Sequence, residues 1–332
     1  GSFSKRSSME TTKGSFGILG SKFFALLNIL QLTGWTGIMI YDGALSINGI
    51  FKNGAWLWAI VIGLLIAAWI LIGIKNVSKL NVASLSALFI LTLVLCKIIF
   101  FNGDNSVVSS TQEEAMSFGA AVELAAAMPL SWLPLISDYT KESNKPVMSS
   151  LLSSLVYGAT SCWMYLIGMG AAIFTSETDI SLILLKSGLG WAALVIVILS
   201  TVTTTFLDAF SAGISFETIS SKPSGKTVAL IVTALGTIGA VFLPMDNTTD
   251  FLYLIGSVFA PMISIQIADF FVLKNDSSAK SIDLQKAVIW ILGFALYRIS
   301  LSWNFILGNT LPVMLIIFAV TVAAQKILGK KK

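Results

Sequence analysis

The sequence predicts an all-α integral membrane protein of about ten spanning helices. Three observations carry that prediction. Hydrophobic residues make up 55% of the 332 residues and charged ones only 11%, whereas soluble domains carry roughly 25% charged residues. The apolar residues gather in runs of about 20, the length a helix needs to cross hydrocarbon, rather than in the shorter alternating segments of a barrel. The basic residues then collect in alternate loops, as the positive-inside rule requires.

The predicted spans are 18–43, 55–74, 79–101, 118–138, 147–174, 190–216, 227–243, 250–273, 285–303 and 309–327. Residues 176–188 are too short and polar to span and read as a helix lying in the interface. With the N-terminal flank inside, 17 of the 21 Lys and Arg fall in cytoplasmic loops or flanks. Only Lys52 and Lys186 fall outside, and Lys97 and Arg298 lie near the outer ends of spans. Asp104, Glu113, Glu114, Glu177, Asp179, Asp246 and Asp250 make the outer loops acidic. The expectation is a multi-pass protein of the cell membrane with both termini cytoplasmic, a single membrane domain over residues 1–332.

Composition also excludes classes of function. The chain has no histidine, so it lacks the commonest metal ligand and general base, which weighs against an enzyme. Cys96 and Cys162 fall in apolar runs and read as small core residues. The net charge of +4 follows from loop lysines and implies no nucleic acid. The partners expected are a small solute and the bilayer, with no obligate protein partner and no cofactor beyond a coupling ion.

The stretch from Phe118 to Lys141 organises these expectations. Pro129 and Pro134 each remove a backbone donor inside it, and the residues Met128 to Trp132 read as an unwound segment. A break at bilayer depth is tolerated only where it lines a protein-enclosed cavity, as in solute permeases. Glu123 is a carboxylate within an apolar run, and so a candidate for solute or proton binding. In the first span Gln31, Trp35 and Met39 share one helix face. Trp35 at mid-membrane reads either as a stacking platform for a flat ring or as helix packing. In the sixth span, the hydroxyls of Ser200, Thr203 and Thr204 suit a hard cation such as sodium, although such residues also bond neighbouring helices. Asp208, a turn beyond Thr204, is a second buried acid, and acids in a cavity favour a donor-rich solute. Pro261 in the eighth span reads as a hinge, Asp269 as interfacial, and Tyr297 as an outer-face residue. Inverted repeats would pair the broken fourth span with another broken helix, which is absent from spans one to three. Repeats of five helices place that partner two helices before residue 1.

Four stretches resemble the nucleobase–cation symporter-1 family of purine, pyrimidine, hydantoin and thiamine-precursor permeases. They are Phe16-Gly17 and Gly20-Ser21 ahead of Trp35-Thr36-Gly37; Ser137-Asp138-Tyr139-Thr140-Lys141; Thr203-Thr204-Thr205; and Phe259-Ala260-Pro261 followed by Ala268-Asp269-Phe270. The Glu123 to Trp132 wording is most similar to the hydroxymethylpyrimidine permease group. The resemblance implies an inverted five-helix-repeat transporter fold from which the first two family helices are missing here. It implies Trp35 as the stacking tryptophan and Met39 where some members carry glutamine. Met128, Pro129 and Ser131 fall in the substrate segment, with Pro129 replacing an aromatic or polar residue. Ser200, Thr203 and Thr204 fall in half of a sodium site, and Asp208 lies close to a family asparagine. The function implied is cation-coupled import of a pyrimidine-type ring, by sodium or by protons. An amino-acid or osmolyte symporter of the same architecture is the alternative.

Overall fold

The apolar runs become helices in a computed structural model that describes residues 1–101, 116–174, 190–303 and 305–328. In chain order these are α1 (Ser8–Thr11), α2 (Lys13–Phe51), α3 (Ala55–Ile72), α4 (Ile74–Phe101), α5 (Phe118–Thr140) and α6 (Pro146–Phe174). Then come α7 (Gly190–Ile219), α8 (Gly225–Phe242), α9 (Thr248–Ile267) with a π-helical turn (Ala268–Leu273), α10 (Leu284–Ser300) and α11 (Thr310–Leu328). No strand occurs among the described residues. Nine of these helices are long and apolar enough to cross a membrane; α10, at 17 residues, is one residue shorter than the shortest of them. The expected surface helix at 176–188, the acids Asp104, Glu113, Glu114, Glu177 and Asp179, and Lys186 and Lys330 to Lys332 lie outside the described residues.

The first span is longer than predicted. Asp42 and Asn48 do not end it, because α2 stops only where Lys52 takes a left-handed conformation ahead of Gly54. At its start the helix bends at Gly17, whose φ of 78° suits only glycine. A Cβ there would stand 2.8 Å from the Lys280 carbonyl. That closeness lets the 277–283 loop pair with α2: Ile18 and Leu19 donate to Lys280 and Ser281, and Asp283 donates back to Phe16. Side-chain caps start several helices, with Ser117 accepting from Ala120 and Ser224 from Thr227.

Two bodies form the core. The first is α2, α3, α7 and α8, packed through residues such as Leu32, Ile40, Ile62, Val202, Phe206 and Val232. In lipid such contacts gain from close packing rather than from water exclusion. At Gly236 the approach is so tight that a Cβ would meet Thr36 at 2.7 Å and the Gly37 nitrogen at 3.0 Å. The second body is α9 with α10, α11 and the middle of α5, centred on Phe259, Ile289, Ile317 and Leu130. Pro261 sits inside a continuous α9 and packs towards Gly293. A smaller cluster joins α4 to α6 through Leu91, Leu95, Ile99 and Ile167. Both cysteines are free, and Cys162 is exposed on α6 rather than in the core.

Contacts between helix ends define two ends of the molecule. At the basic end Lys5 donates to the Ser143 carbonyl, Lys226 to Leu71, and Ser277 to Gly14. At the acidic end Tyr41 donates to Asp246, and Glu123 meets the start of α11.

Candidate substrate site

The prolines of α5 do not break it. Residues 118–140 form one helix, and the unwound segment expected at Met128 to Trp132 is helical. Each proline deletes one donor, to the carbonyls of Ala125 and Leu130, and leaves the turn intact, while side chains of α2 bond other carbonyls of the same stretch. Gln31 Nε2 donates to the Ser131 carbonyl at 2.8 Å and Asn28 Nδ2 to that of Pro134 at 3.3 Å. The Ser131 hydroxyl turns back to the Met128 carbonyl at 2.6 Å. Polar partners on adjacent helices are the usual way a membrane helix tolerates proline.

A cavity of about 100 Å³ lies between α2, α5 and α7. Helix α2 contributes Trp35 and Met39, α5 contributes Met128, Ser131, Trp132 and Leu135, and α7 contributes Thr204 and Asp208. The indole of Trp35 is braced edge-to-face by Phe251, with ring centroids 5.4 Å apart and planes at 71°. Asp208 is 7% exposed, and no hydrogen bond or ion pair from another described residue reaches its carboxylate. A buried acid without a donor is costly, so this one is suited to a donor brought by a ligand. The α5 helix is therefore unbroken but still lines an internal space with Trp35.

The expected site residues divide. Trp35, Met39, Met128, Ser131 and Asp208 come together. Pro129 is not among the residues lining the cavity. Of the proposed cation ligands, Thr204 reaches the cavity, while Thr203 is buried and donates to the Ser200 carbonyl at 3.0 Å. These oxygens match in kind what a hard cation takes.

Glu123 does something else. Its carboxylate is 1% exposed and lies away from the cavity. Oε2 accepts from the backbone N–H groups of Asn309 at 2.6 Å and Thr310 at 2.7 Å. Oε1 accepts from the Thr310 hydroxyl at 2.7 Å and from the Tyr297 hydroxyl. Gly308 packs close against it with φ at 69°. Glu123 thus caps α11, placing negative charge at a helix N-terminus where backbone donors are free. The solute-contact expectation is corrected on that ground, since its lone pairs are already engaged. Tyr297, read from sequence as an outer-face residue, is fully buried beside it. The sequence signal for this pairing was Asn309-Thr310 ahead of an apolar run, a helix start whose donors need an acceptor.

Asp269 is also corrected. It lies at the basic end but is not exposed there: its carboxylate lies 2.6 Å from the Lys286 ammonium, and both side chains are at most 3% exposed. At the end of α5, Asp138 accepts from the Ser8 N–H at 2.8 Å, and the Ser8 hydroxyl accepts from Ser137 at 2.9 Å. The motif that closes α5 thus holds α1 in place.

No family model matches the chain. By sequence it is 23% identical over 313 residues to the cytosine permease of Escherichia coli strain K12, covering 91% of this chain and 74% of the permease. The cytosine permease of Escherichia coli O157:H7 matches with the same identity and coverage. Among solved structures, an inward-facing conformation of Mhp1 superposes with a TM-score of 0.73, at 18% identity, over 98% of this chain and 78% of that one. A closed conformation of Mhp1 with bromovinylhydantoin bound, described as a nucleobase-cation-symport-1 family transporter, gives a TM-score of 0.72 at 16% identity over 98% and 80%. These relatives are transporters, not enzymes. The chain shares the fold of Mhp1 over 98% of its length and is similar in sequence to cytosine permeases over 91% of it.

Proposed function

We propose that the chain moves a pyrimidine-type nucleobase or thiamine precursor across the cell membrane by alternating access. The observation that carries this reading is the cavity where Trp35 and a donorless Asp208 face one space between two helix bodies. An apolar cavity of roughly 150 Å³ admits benzene, so about 100 Å³ is on the scale of one ring rather than two. In this reading Trp35 stacks the ring and Asp208 accepts from a ring N–H or exocyclic amine. An aminopyrimidine such as cytosine or hydroxymethyl-aminopyrimidine has that chemistry. An amino acid could offer its ammonium to Asp208, but its carboxylate would need free backbone donors, and α5 is unbroken where it lines the cavity.

Sodium is the proposed coupling ion, held in part by Thr204 with Ser200 and Thr203. The ion would supply charge that couples binding to the membrane gradient. The basic end faces the cytoplasm by the positive-inside rule. A thermal-shift screen of pyrimidines, purines and amino acids, with and without sodium, tests the reading. Stabilisation by aminopyrimidines, enhanced by sodium, is expected. Stabilisation by amino acids alone would overturn the substrate class.

A further inference from the structure

Between the cavity and the basic end, polar bridges join α5 to α2 and α7. Nearest the cavity, Gln31 donates to the Ser131 carbonyl at 2.8 Å. Next, Asn28 Nδ2 spans the Pro134 carbonyl at 3.3 Å and the Ser215 hydroxyl at 2.8 Å, while Asn28 Oδ1 accepts from Gln31 at 3.0 Å. Alongside them the Tyr139 hydroxyl reaches the Leu207 carbonyl at 3.2 Å and the Ser211 hydroxyl at 2.8 Å. Asn28, Ser211 and Ser215 are wholly buried.

These residues follow the cavity residues in helical register. Gln31 is one turn and Asn28 two turns from Trp35, and Ser211 and Ser215 are about one and two turns past Asp208. Beyond them, on the same helices, lies an open recess of about 390 Å³ whose lining includes Lys13, Ser21, Lys141, Ile214 and Glu217. Cavity, polar layer and recess thus succeed one another between the same helices.

The layer is built to part. An amide–carbonyl bridge that opens to water exchanges one hydrogen bond for another at small net cost, unlike the interlocked apolar contacts between α2 and α7. The closed arrangement is also incomplete, since Gln31 Oε1 is buried without a partner. Hydration on opening would satisfy that oxygen, which narrows the gap between the closed and open states.

We propose that the bridges from Gln31 and Asn28 to α5, with that from Tyr139 to Ser211 alongside, form the inner gate of the transport path. The gate seals the Trp35–Asp208 cavity from the recess at the basic end and opens when α5 leaves α2 and α7. The proposal rests on the cavity being the transport site, but its test does not need the solute.

The experiment uses the full chain in sealed vesicles of both orientations, with Cys96→Ala and Cys162→Ala, and Leu135→Cys as a reporter inside the cavity. A membrane-impermeant thiol reagent is applied to the basic end. Adding Gln31→Ala or Asn28→Ala, each of which removes a bridge from α2 to α5, should raise the labelling rate about fivefold, the effect of losing one such bridge. Tyr139→Phe should raise it less. A second arm replaces Tyr139 on α5 and Ser211 on α7 with cysteines, without the reporter, and joins them by a short bifunctional thiol reagent. Uptake of labelled cytosine should stop on joining and resume when a reducible linker is cleaved. Unchanged labelling in monodisperse Gln31→Ala and Asn28→Ala protein would overturn the gate, as would undiminished uptake in the joined pair. If labelling responds while no ring compound stabilises the protein, the gate stands and the substrate reading fails.

Discussion

The two walls of the cavity are held by different physics. Helices α2 and α7 belong to a four-helix body packed through apolar side chains and glycine-sized approaches. Helix α5 carries two prolines, and polar contacts tie it down at each end. At one end Glu123 gathers four donors from α10 and the start of α11. At the other, Asp138 and Tyr139 bind α1 and α7. In lipid the first kind of contact is many small terms that are lost gradually. The second is a few discrete bonds that are made or broken, which suits a helix that moves against a fixed frame.

The largest test of that contrast is Glu123→Ala. It strands buried donors of Asn309 and Thr310 beside the Tyr297 hydroxyl and should cost about 3–5 kcal/mol, read as a lower melting temperature in detergent. Unchanged melting with lost uptake would return Glu123 to the solute site. Next is the buried pair at the basic end. Lys286→Met alone should destabilise by about 3 kcal/mol, and adding Asp269→Leu should recover most of that, because the cost lies in leaving one charge alone. A double variant as weak as the single would show that the pair does more than cancel charge. Smaller again is Thr204→Ala, which should weaken the sodium dependence of ligand binding about tenfold while melting without ligand stays unchanged. Equal sodium dependence in both proteins would remove Thr204 from the ion's path.

The smallest effect lies outside the spans. Asp283 caps α10 and accepts from Ser277 and Lys280 at 2.8 Å. Burial works against its charge, but these bonds outweigh it and hold the carboxyl below its usual value. A depressed pKa stabilises above the unfolded value and is lost as pH falls through the folded one. Asp283→Ala should therefore cost about 1 kcal/mol at neutral pH, and the gap from wild type should shrink below about pH 4. A gap independent of pH would show that packing, not charge, is what Asp283 provides.

Much of the fold was legible in apolar runs. Spans predicted at 227–243 and 309–327 appear as Gly225–Phe242 and Thr310–Leu328. The first span was misjudged at its end, because polar residues inside a spanning helix do not stop it, whereas Lys52 and Gly54 do. At the site, the spacing of Trp35 and Met39, and of Thr204 and Asp208, put each pair on one face, as found. The continuity of α5 was hidden, since a proline inside a helix can kink it or break it, and the side chains that hold this stretch from α2, Asn28 and Gln31, lie about 100 residues earlier. The fate of Glu123 was hidden for the same reason, its donors being 186 and 187 residues away. A lone intramembrane acid shows that a partner is needed, and local sequence does not show which.

The central claim is that Trp35 and Asp208 together hold a flat, donor-bearing ring. It is tested most directly by equilibrium binding of labelled cytosine, or of hydroxymethyl-aminopyrimidine, to detergent-purified wild type, Trp35→Ala and Asp208→Asn, with melting temperatures measured in parallel. Loss of base stacking is worth about 1–3 kcal/mol and loss of a hydrogen bond to a charged group about as much, so both variants should bind at least about fivefold more weakly, with Asp208→Asn melting no lower than wild type. Wild-type affinity in both variants would contradict the account.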